Sequence, residues 1–195
     1  MTDKAKNFPL LSILIPTIEG RERFFDFITK KLTHQINQVG ADKVQLLFYK
    51  DKRGENTTGH KRNVLIEQST GKYVVFVDDD DNVSNRYVAT IINAINEHDV
   101  DAFGIQGIYT ENGANSTYFE TGLKHHWEKT NGWYTRTINH ISPVKREHAI
   151  KIKFPDKVFG EDYEWTMMLK NSGLIKTDHV IKEKIYFYEY ITNKQ

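Results

Sequence analysis

One short stretch, residues 73–81, constrains the fold of this chain more than any other. It reads Tyr-Val-Val-Phe-Val-Asp-Asp-Asp-Asp, a run of apolar residues that ends in four consecutive carboxylates. The β-branched and aromatic residues, with Gly71 before them and a polar break after them, predict a β-strand. Because both faces of this strand are apolar, it should lie in the interior of a sheet. The carboxylates would then lie at its carboxyl end, where open α/β sheets bind ligands.

The four carboxylates, Asp78 to Asp81, predict a site for a divalent cation. Neighbouring acidic side chains repel one another, and burying them without partners is costly. Their hard oxygens suit Mg²⁺ or Mn²⁺, and Mg²⁺ is usually held by one or two carboxylates together with substrate phosphates. The stretch therefore predicts a metal and a phosphate-bearing substrate. A solvated acidic turn that ends the strand and caps a helix at Ser84 is the alternative.

The segments before this stretch predict a βαβ unit and hence a parallel sheet. Residues 10–15 and 44–49 are short apolar runs that predict strands. A helix from about Arg21 to Gln38 lies between them. Its apolar face, at helical spacing, consists of Phe24, Phe27, Ile28, Leu32 and Ile36.

The remainder of the chain predicts further helices and strands of the same α/β pattern. Helices are expected at residues 60–69, with Thr57 or Thr58 as N-cap, and at 84–97, 145–150 and 163–171. Strands are expected at residues 102–108, 138–144, 174–181 and 185–190, with a turn at 110–115. The aromatic segment 118–135 fits either a loop lining a substrate cleft or packing over a sheet edge.

The helix that begins at His60 carries an unusual first turn. Its residues His60, Lys61, Arg62 and Asn63 place cations where the helix dipole prefers anions. A bound phosphate would remove this conflict, because the helix N-terminus and the cations would both face it. A solvated basic turn is the alternative.

Composition bounds the class of protein. A chain of 195 residues suits one domain with a sizeable core. Its 27 basic and 26 acidic residues leave a net charge of +1, which excludes a strong overall field for nucleic acid. The absence of cysteine excludes disulfides and thiolate catalysis. No apolar run has the length of a bilayer or of a signal core, so a cytoplasmic protein is predicted.

Taken in order, several motifs resemble those of the family 2 glycosyltransferases, which have the GT-A fold. The resemblance runs from about Leu10 to Tyr190 and rests on residues 12–17, Asp51, and residues 59–63, 71–81 and 160–162. It implies one GT-A domain over residues 1–195, with a Rossmann-like, mostly parallel sheet, flanking helices and a small antiparallel edge region. The nucleotide-sugar half would span about 8–108 and the acceptor half about 109–195.

The resemblance also implies an activity, a cofactor and residue roles. The activity would be inverting transfer from a nucleotide diphosphate sugar, usually a UDP-sugar, with Mn²⁺ or Mg²⁺. Asp80 would ligate the metal directly, and Asp78 would lie near the metal or the ribose. Asp162 would be the catalytic base, and Glu161 would orient the acceptor. The residues implied to bind the donor are Pro16, Thr17, Glu19, Asp51, Lys61, Arg62, Asp78 and Asp79.

The C-terminal stretch departs from the family pattern. Relatives often carry a metal-binding histidine in a Tyr-His-Tyr type sequence, where this chain has Tyr186-Phe187-Tyr188. Phe187 cannot ligate a metal, so water, His140 or Glu189 would have to replace the histidine. His140 could instead contact the acceptor or a phosphate, or have a structural role.

The acceptor is open between two hypotheses, a glycan and a hydroxymethylated base in DNA. The second follows from the occurrence of compact proteins of this type in phages, which would place the protein in the host cytoplasm. It would use a basic surface of Lys124, Lys129, Arg136, Lys145, Arg146, Lys151 and Lys153.

Two other functions compete with glycosyl transfer. A sugar nucleotidyltransferase usually has a Gly-rich basic loop after its first strand, whereas residues 16–20 read Pro-Thr-Ile-Glu-Gly. A non-catalytic nucleotide-sugar binding module would need Asp51 and Asp80 but no base at Asp162.

Overall fold

The computed structural model describes residues 8–130 and 132–190, which form a ten-stranded sheet with helices on both faces. The strands are β1 (Leu11–Ile18), β2 (Val44–Asp51), β3 (Tyr73–Phe76), β4 (Asn82–Val83), β5 (Ala102–Glu111), β6 (Ala114–Thr121), β7 (Glu128–Thr130), β8 (Trp133–Arg136), β9 (Val144–Lys145) and β10 (Asp178–Tyr190). The helices are α1 (Glu22–Val39), α2 (Thr58–Gln68), α3 (Tyr87–Glu97), α4 (Arg146–Ala149) and α5 (Glu161–Ser172).

The sheet confirms the predicted α/β class with mainly parallel pairing. Strand β1 pairs in parallel with β2 on one side and β3 on the other. The long strands β5 and β10 also pair in parallel, and the short strand β9 joins the two parallel parts by antiparallel pairing with β3 and β5. At the far edge, the β5–β6 hairpin and the β7–β8 pair are antiparallel, and β6 pairs in parallel with β8.

Strand β3 lies inside the sheet with both faces buried, as its sequence predicts. Its side chains alternate between two hydrophobic layers, because successive residues of a strand point to opposite faces. Tyr73 and Val75 pack with the layer that contains Ile28 and Leu32 of α1. Val74 and Phe76 pack with the opposite layer, which contains residues of α2 and α5. Hydrophobic layers therefore cover both faces of the sheet at β3, the strand that the acidic residues follow.

Two sequence predictions about secondary structure are wrong, those for residues 138–144 and for the C-terminal strands. Residues 138–143 form turns, and only Val144–Lys145 pair as a strand. The aromatic segment 118–135 includes the end of β6 and the strands β7 and β8 at the edge of the sheet, which agrees with the second of its two alternatives. The two C-terminal strands are one strand, β10, whose register shifts near Lys184 explain the apparent break.

The apolar face of α1 is narrower than predicted. Ile28, Leu32 and Ile36 are buried, but Phe24 and Phe27 are 46% and 55% exposed. Cationic side chains cover part of these two rings, with Arg21 over Phe24 and Lys31 over Phe27. Within the described ranges, no helix combines the length and the apolar character that crossing a bilayer requires.

Candidate active site

The carboxyl ends of the parallel strands bring distant acidic residues to one edge of the sheet. Thr17 lies near the end of β1, Asp51 ends β2, and Asp78 to Asp81 follow β3. Hydrogen bonds join the three strand ends, including one from the Thr17 hydroxyl to Asp79 at 2.6 Å. The first residues of α5, Glu161 and Asp162, face the same edge through the contacts described below.

Arg62 is a buried link between the acidic turn and α5. Its Nη2 donates to both carboxylate oxygens of Asp78, at 2.9 and 3.2 Å, and its Nε donates to Glu161 at 3.2 Å. The guanidinium also lies over the ring of Phe76, 4.9 Å from the centroid. Burial by itself would raise the pKa of Asp78, but Arg62, together with His140, outweighs it and holds that pKa well below its ordinary value.

His140 forms a second link at the same place. Its Nε2 lies 3.6 Å from Asp78 Oδ2, and its Nδ1 lies 3.7 Å from Asp162 Oδ2. The ring is nearly buried, and its Nδ1 has no hydrogen-bond partner among the described residues. The backbone carbonyl of His140 accepts from the Phe76 N–H, which fixes this loop against β3. His140 therefore lies between the acidic turn and Asp162.

Arg21 pairs with the two middle carboxylates of the acidic turn, Asp79 and Asp80, and the sequence analysis did not identify it. Its Nη2 lies 2.8 Å from Asp79 Oδ1 and 2.6 Å from Asp80 Oδ2. Burial raises the pKa of Asp79 to about 6, although the Thr17 hydroxyl and Arg21 act in the opposite direction. Burial therefore outweighs both of these contacts at the Asp79 carboxyl.

Asp51 forms a buried ion pair with Lys61. The Lys61 Nζ lies 2.9 Å from Asp51 Oδ1 and also donates to the Thr17 carbonyl at 3.2 Å. The other oxygen of Asp51 accepts from the Asn56 N–H at 3.1 Å. This arrangement fixes the ends of β1 and β2 and the start of α2 relative to one another.

The first turn of α2 resolves its charge conflict within the protein. Lys61 pairs with Asp51, and Arg62 pairs with Asp78 and Glu161. Protein carboxylates therefore occupy the role that the sequence had suggested for a phosphate. The predicted N-cap is confirmed, since the Thr57 hydroxyl accepts from the His60 N–H at 3.0 Å.

Gly59 allows α2 to approach the loop before α5. A Cβ at this position would lie 1.8 Å from the carbonyl oxygen of Pro155, so any larger residue would force the two segments apart. The Gly59 N–H donates to the Lys157 carbonyl at 3.1 Å, which holds the contact. The glycine in the motif of residues 59–63 thus serves packing beside the site.

The two acidic residues of α5 face different environments. Glu161 is buried against Arg62, whereas the side chain of Asp162 is 30% exposed. Gly160 precedes them in the left-handed conformation, with φ of 76°, and turns the chain into the helix. Phe159 is 88% exposed beside this turn, and the exposed Tyr163 packs edge-to-face on Trp127 at 5.1 Å. Asp162 is therefore the more accessible carboxylate of this pair, and exposed aromatic residues are close to it in the sequence.

The C-terminal strand holds the acidic turn from the other side. The Tyr186 hydroxyl donates to Asp81 Oδ2 at 2.6 Å, and Phe187 pairs with Asn82 in the sheet. Burial, followed by the charge of Asp81, raises the pKa of Tyr186 well above its ordinary value, so the hydroxyl remains a donor. Glu189 lies farther along β10, beside Gly113 of the β5–β6 turn.

The donor set of the turn suits a divalent cation that also has phosphate ligands. Within the described part of the chain, no group of three His, Asp or Glu side chains converges on one point. Asp79 and Asp80 nevertheless already bind one cation jointly, the guanidinium of Arg21. Since Mg²⁺ commonly takes only one or two protein carboxylates and completes its shell with phosphate and water, these residues fit such an ion.

The remaining predicted residues fall into two groups. Pro16 and Thr17 are buried at the end of β1, and Glu19 is exposed in the following turn. Two of the seven basic residues proposed for DNA, Lys145 and Arg146, lie away from the acidic turn. Lys145 pairs with Asp99 and Asp101, and Arg146 donates to Ser69, at the amino end of β3 and opposite the acidic turn.

The fold places this chain in a known structural class, the GT-A proteins. The crystal structure of S. aureus TarS 1-349 superimposes with a TM-score of 0.64 at 20% identity, covering 92% of this chain and 60% of TarS 1-349. The same protein in complex with UDP-GlcNAc gives a TM-score of 0.66 at 20% identity, covering 94% of this chain and 59% of that one. This chain therefore spans about 60% of the length of those structures.

The sequence itself identifies the family. Residues 29–170, more than half of the chain, match the family model described as glycosyl transferase family 2. The protein belongs to this family. The search of curated proteins found no match.

Proposed function

We propose that this protein transfers a sugar from a nucleoside-diphosphate sugar, most simply a UDP-sugar, to an acceptor hydroxyl with inversion at the anomeric carbon. Membership of glycosyl transferase family 2 and the GT-A fold support a nucleotide-sugar donor. TarS has been crystallised with UDP-GlcNAc and with UDP, which makes UDP-GlcNAc the first donor to test.

The observation that carries this proposal is the position of Asp162. Its carboxylate is accessible and is connected to the acidic turn through His140, which lies 3.7 Å from it and 3.6 Å from Asp78. A base for an acceptor hydroxyl has to lie beside the donor's anomeric carbon without being part of the phosphate site. The exposure of Asp162 and its place outside the acidic turn support this role, whereas Glu161 is buried against Arg62.

In the proposed mechanism, the strand ends hold the donor. Asp51, fixed by Lys61, lies at the nucleoside end, and the turn that contains Asp79 and Asp80 lies at the diphosphate end. A divalent metal bound at Asp80, with Asp79 beside it, would neutralise the charge of the departing nucleoside diphosphate. In this proposal Asp78 and His140 connect the turn to α5, which their contacts with Arg62 and Asp162 support.

Asp162 then accepts the proton of the acceptor hydroxyl as its oxygen attacks the anomeric carbon. The bond from that carbon to the diphosphate oxygen breaks in the same displacement, so the configuration inverts. A glycosyl centre of this kind passes through an oxocarbenium-like transition state. Arg62 and His140 contribute by fixing the spacing between the donor turn and Asp162.

Two observations favour a glycan over DNA as the acceptor. Two exposed aromatic residues, Phe159 and Tyr163, lie within three residues of Asp162 in the sequence, and such rings pack well on the apolar faces of sugars. Two of the seven basic residues suggested for DNA, Lys145 and Arg146, are engaged at the opposite edge of the sheet.

The proposal is tested by incubating the protein with UDP-sugars, Mn²⁺ and a panel of saccharide acceptors. Released UDP together with a glycosylated product supports transfer. Pyrophosphate would indicate a nucleotidyltransferase, and donor binding without either product would indicate a binding module. Duplex DNA at low salt is included, because phosphate contacts are strongest there.

The base is tested by Asp162→Asn, which should retain UDP affinity and lose at least about a hundredfold in kcat, the lower range for general-base catalysis. The matched control is Glu164→Gln, which removes an exposed carboxylate from the same first turn of α5. Near-normal transfer by Asp162→Asn would show that another group is the base.

A further inference from the structure

The acidic turn contains an internal cation at the place where the proposed metal would bind. A single nitrogen of Arg21, Nη2, lies 2.6 Å from Asp80 Oδ2 and 2.8 Å from Asp79 Oδ1. Arg21 immediately precedes the first residue of α1, and its side chain is 29% exposed. The guanidinium therefore bridges two carboxylates and still reaches solvent.

A metal ion and this guanidinium cannot bridge the same two oxygens. A hard cation such as Mg²⁺ needs its oxygen ligands at about 2.1 Å, which places it in the space that the Nη2 group and its hydrogens occupy. Either the metal binds one carboxylate on the side that faces away from Arg21, or Arg21 moves away. Arg21 can move away because its side chain is partly exposed and follows a turn.

We propose that Arg21 is a resident counter-ion of the donor site, which leaves Asp79 and Asp80 when metal and nucleotide bind together. The inference rests on the proposed function, because it concerns the metal of that site. The departing guanidinium gains a new partner in the donor diphosphate, since arginine binds phosphate oxygens through paired hydrogen bonds. Arg21 is thus a donor-binding residue as well as a competitor of the free metal.

This exchange makes metal binding depend on the nucleotide. Without nucleotide, a metal ion has to displace Arg21 into water and break both of its ion pairs. With nucleotide, the diphosphate pairs with the guanidinium instead, so the two ligands favour each other's binding to the same extent. Direct coordination of the metal by phosphate also couples metal binding to nucleotide binding. The contribution of Arg21 to this coupling is measured by substituting that residue alone.

The test measures Mn²⁺ binding to the whole protein in the absence of nucleotide, using the electron paramagnetic resonance signal of free Mn²⁺. Arg21→Gln removes the charge but keeps a polar side chain, and it should raise Mn²⁺ affinity about tenfold or more, since the two ion pairs of Arg21 no longer compete. Arg21→Lys keeps the charge and should remain close to wild type. Arg23→Gln, an exposed arginine on the same helix, controls for net charge.

An unchanged or weaker Mn²⁺ affinity in Arg21→Gln would overturn the proposal, as would an equal gain in Arg23→Gln. If Arg21→Gln does not fold, the proposal is tested on the wild-type protein by NMR. The NMR signal of the Arg21 Nε–H should shift when UDP and Mg²⁺ are added together, and a signal that stays unchanged in that complex overturns the proposal. Transfer of sugar by the wild-type protein tests the proposed function separately, so the two failures are distinguishable.

Discussion

The substitution Arg62→Met removes the central charge of the candidate active site and retains most of the side-chain volume. The guanidinium is 4% exposed and binds Asp78 and Glu161, which are 26% and 6% exposed. Removing one partner of a buried ion pair typically costs about 3–5 kcal/mol, because the other charge is left without compensation. Asp78 keeps some contact with water, so a loss of about 3 kcal/mol, at the lower end of that range, is expected.

Urea denaturation followed by circular dichroism measures this loss directly. The difference should also depend on pH. The pKa of Asp78 lies below its ordinary value of 3.8 in the folded wild type, so its stabilising effect is complete above that value and is lost as the pH falls below it. The gap between Arg62→Met and wild type should therefore be full at pH 7 and narrow below about pH 4.

The control is Lys72→Met, which removes a cation from the exposed pair of Lys72 and Asp99. Exposed ion pairs contribute about 0–1 kcal/mol, so this variant should remain close to wild type. If Arg62→Met were no less stable than Lys72→Met, the description of Arg62 as the link between the acidic turn and α5 would be refuted.

Three further substitutions test particular contacts. Gly59→Ala should lower the free energy of unfolding by about 1–3 kcal/mol, because the new methyl group meets the carbonyl oxygen of Pro155; an unchanged melting temperature would contradict this. Tyr186→Phe should cost about 1–3 kcal/mol, since the buried Asp81 loses a donor at 2.6 Å, and calorimetry should show weaker UDP binding. Asp101→Asn should cost about 1–3 kcal/mol at pH 7, because the carboxylate accepts backbone N–H bonds just before β10. Burial would raise the pKa of Asp101, but these bonds and His148 hold it below 3.8, so this cost should shrink as the pH falls below that value.

Local patterns in the sequence predicted the parts of the fold that depend on neighbouring residues. The apolar run of residues 73–77 became the buried strand β3 and its extension, and Thr57 became the N-cap of α2. Phe24 and Phe27 were wrongly predicted to belong to the buried face of α1. Helical spacing shows which residues lie on one side of a helix, but not how many of them the rest of the protein covers.

The ion pairs of the site could not be predicted from local patterns. Arg21 and Asp79 are joined only because β1 and β3 are neighbours in the sheet, and Arg62 meets Glu161 across a much longer separation in sequence. From the sequence alone, a bound phosphate and solvent were equally acceptable partners for the cations at the start of α2. The sequence did contain one useful signal for Arg21. This arginine directly follows Gly20, at the end of the turn after the first predicted strand.

In the proposed function, the acidic turn after β3 binds a donor diphosphate through a metal, and Asp162 faces the sugar. Anomalous diffraction of Mn²⁺ in crystals grown with UDP tests this arrangement. One strong peak is expected within coordination distance of an Asp80 carboxylate oxygen and of both phosphates, with Asp162 on the open side. A peak elsewhere, or UDP bound with Asp80 turned away from its phosphates, would contradict it.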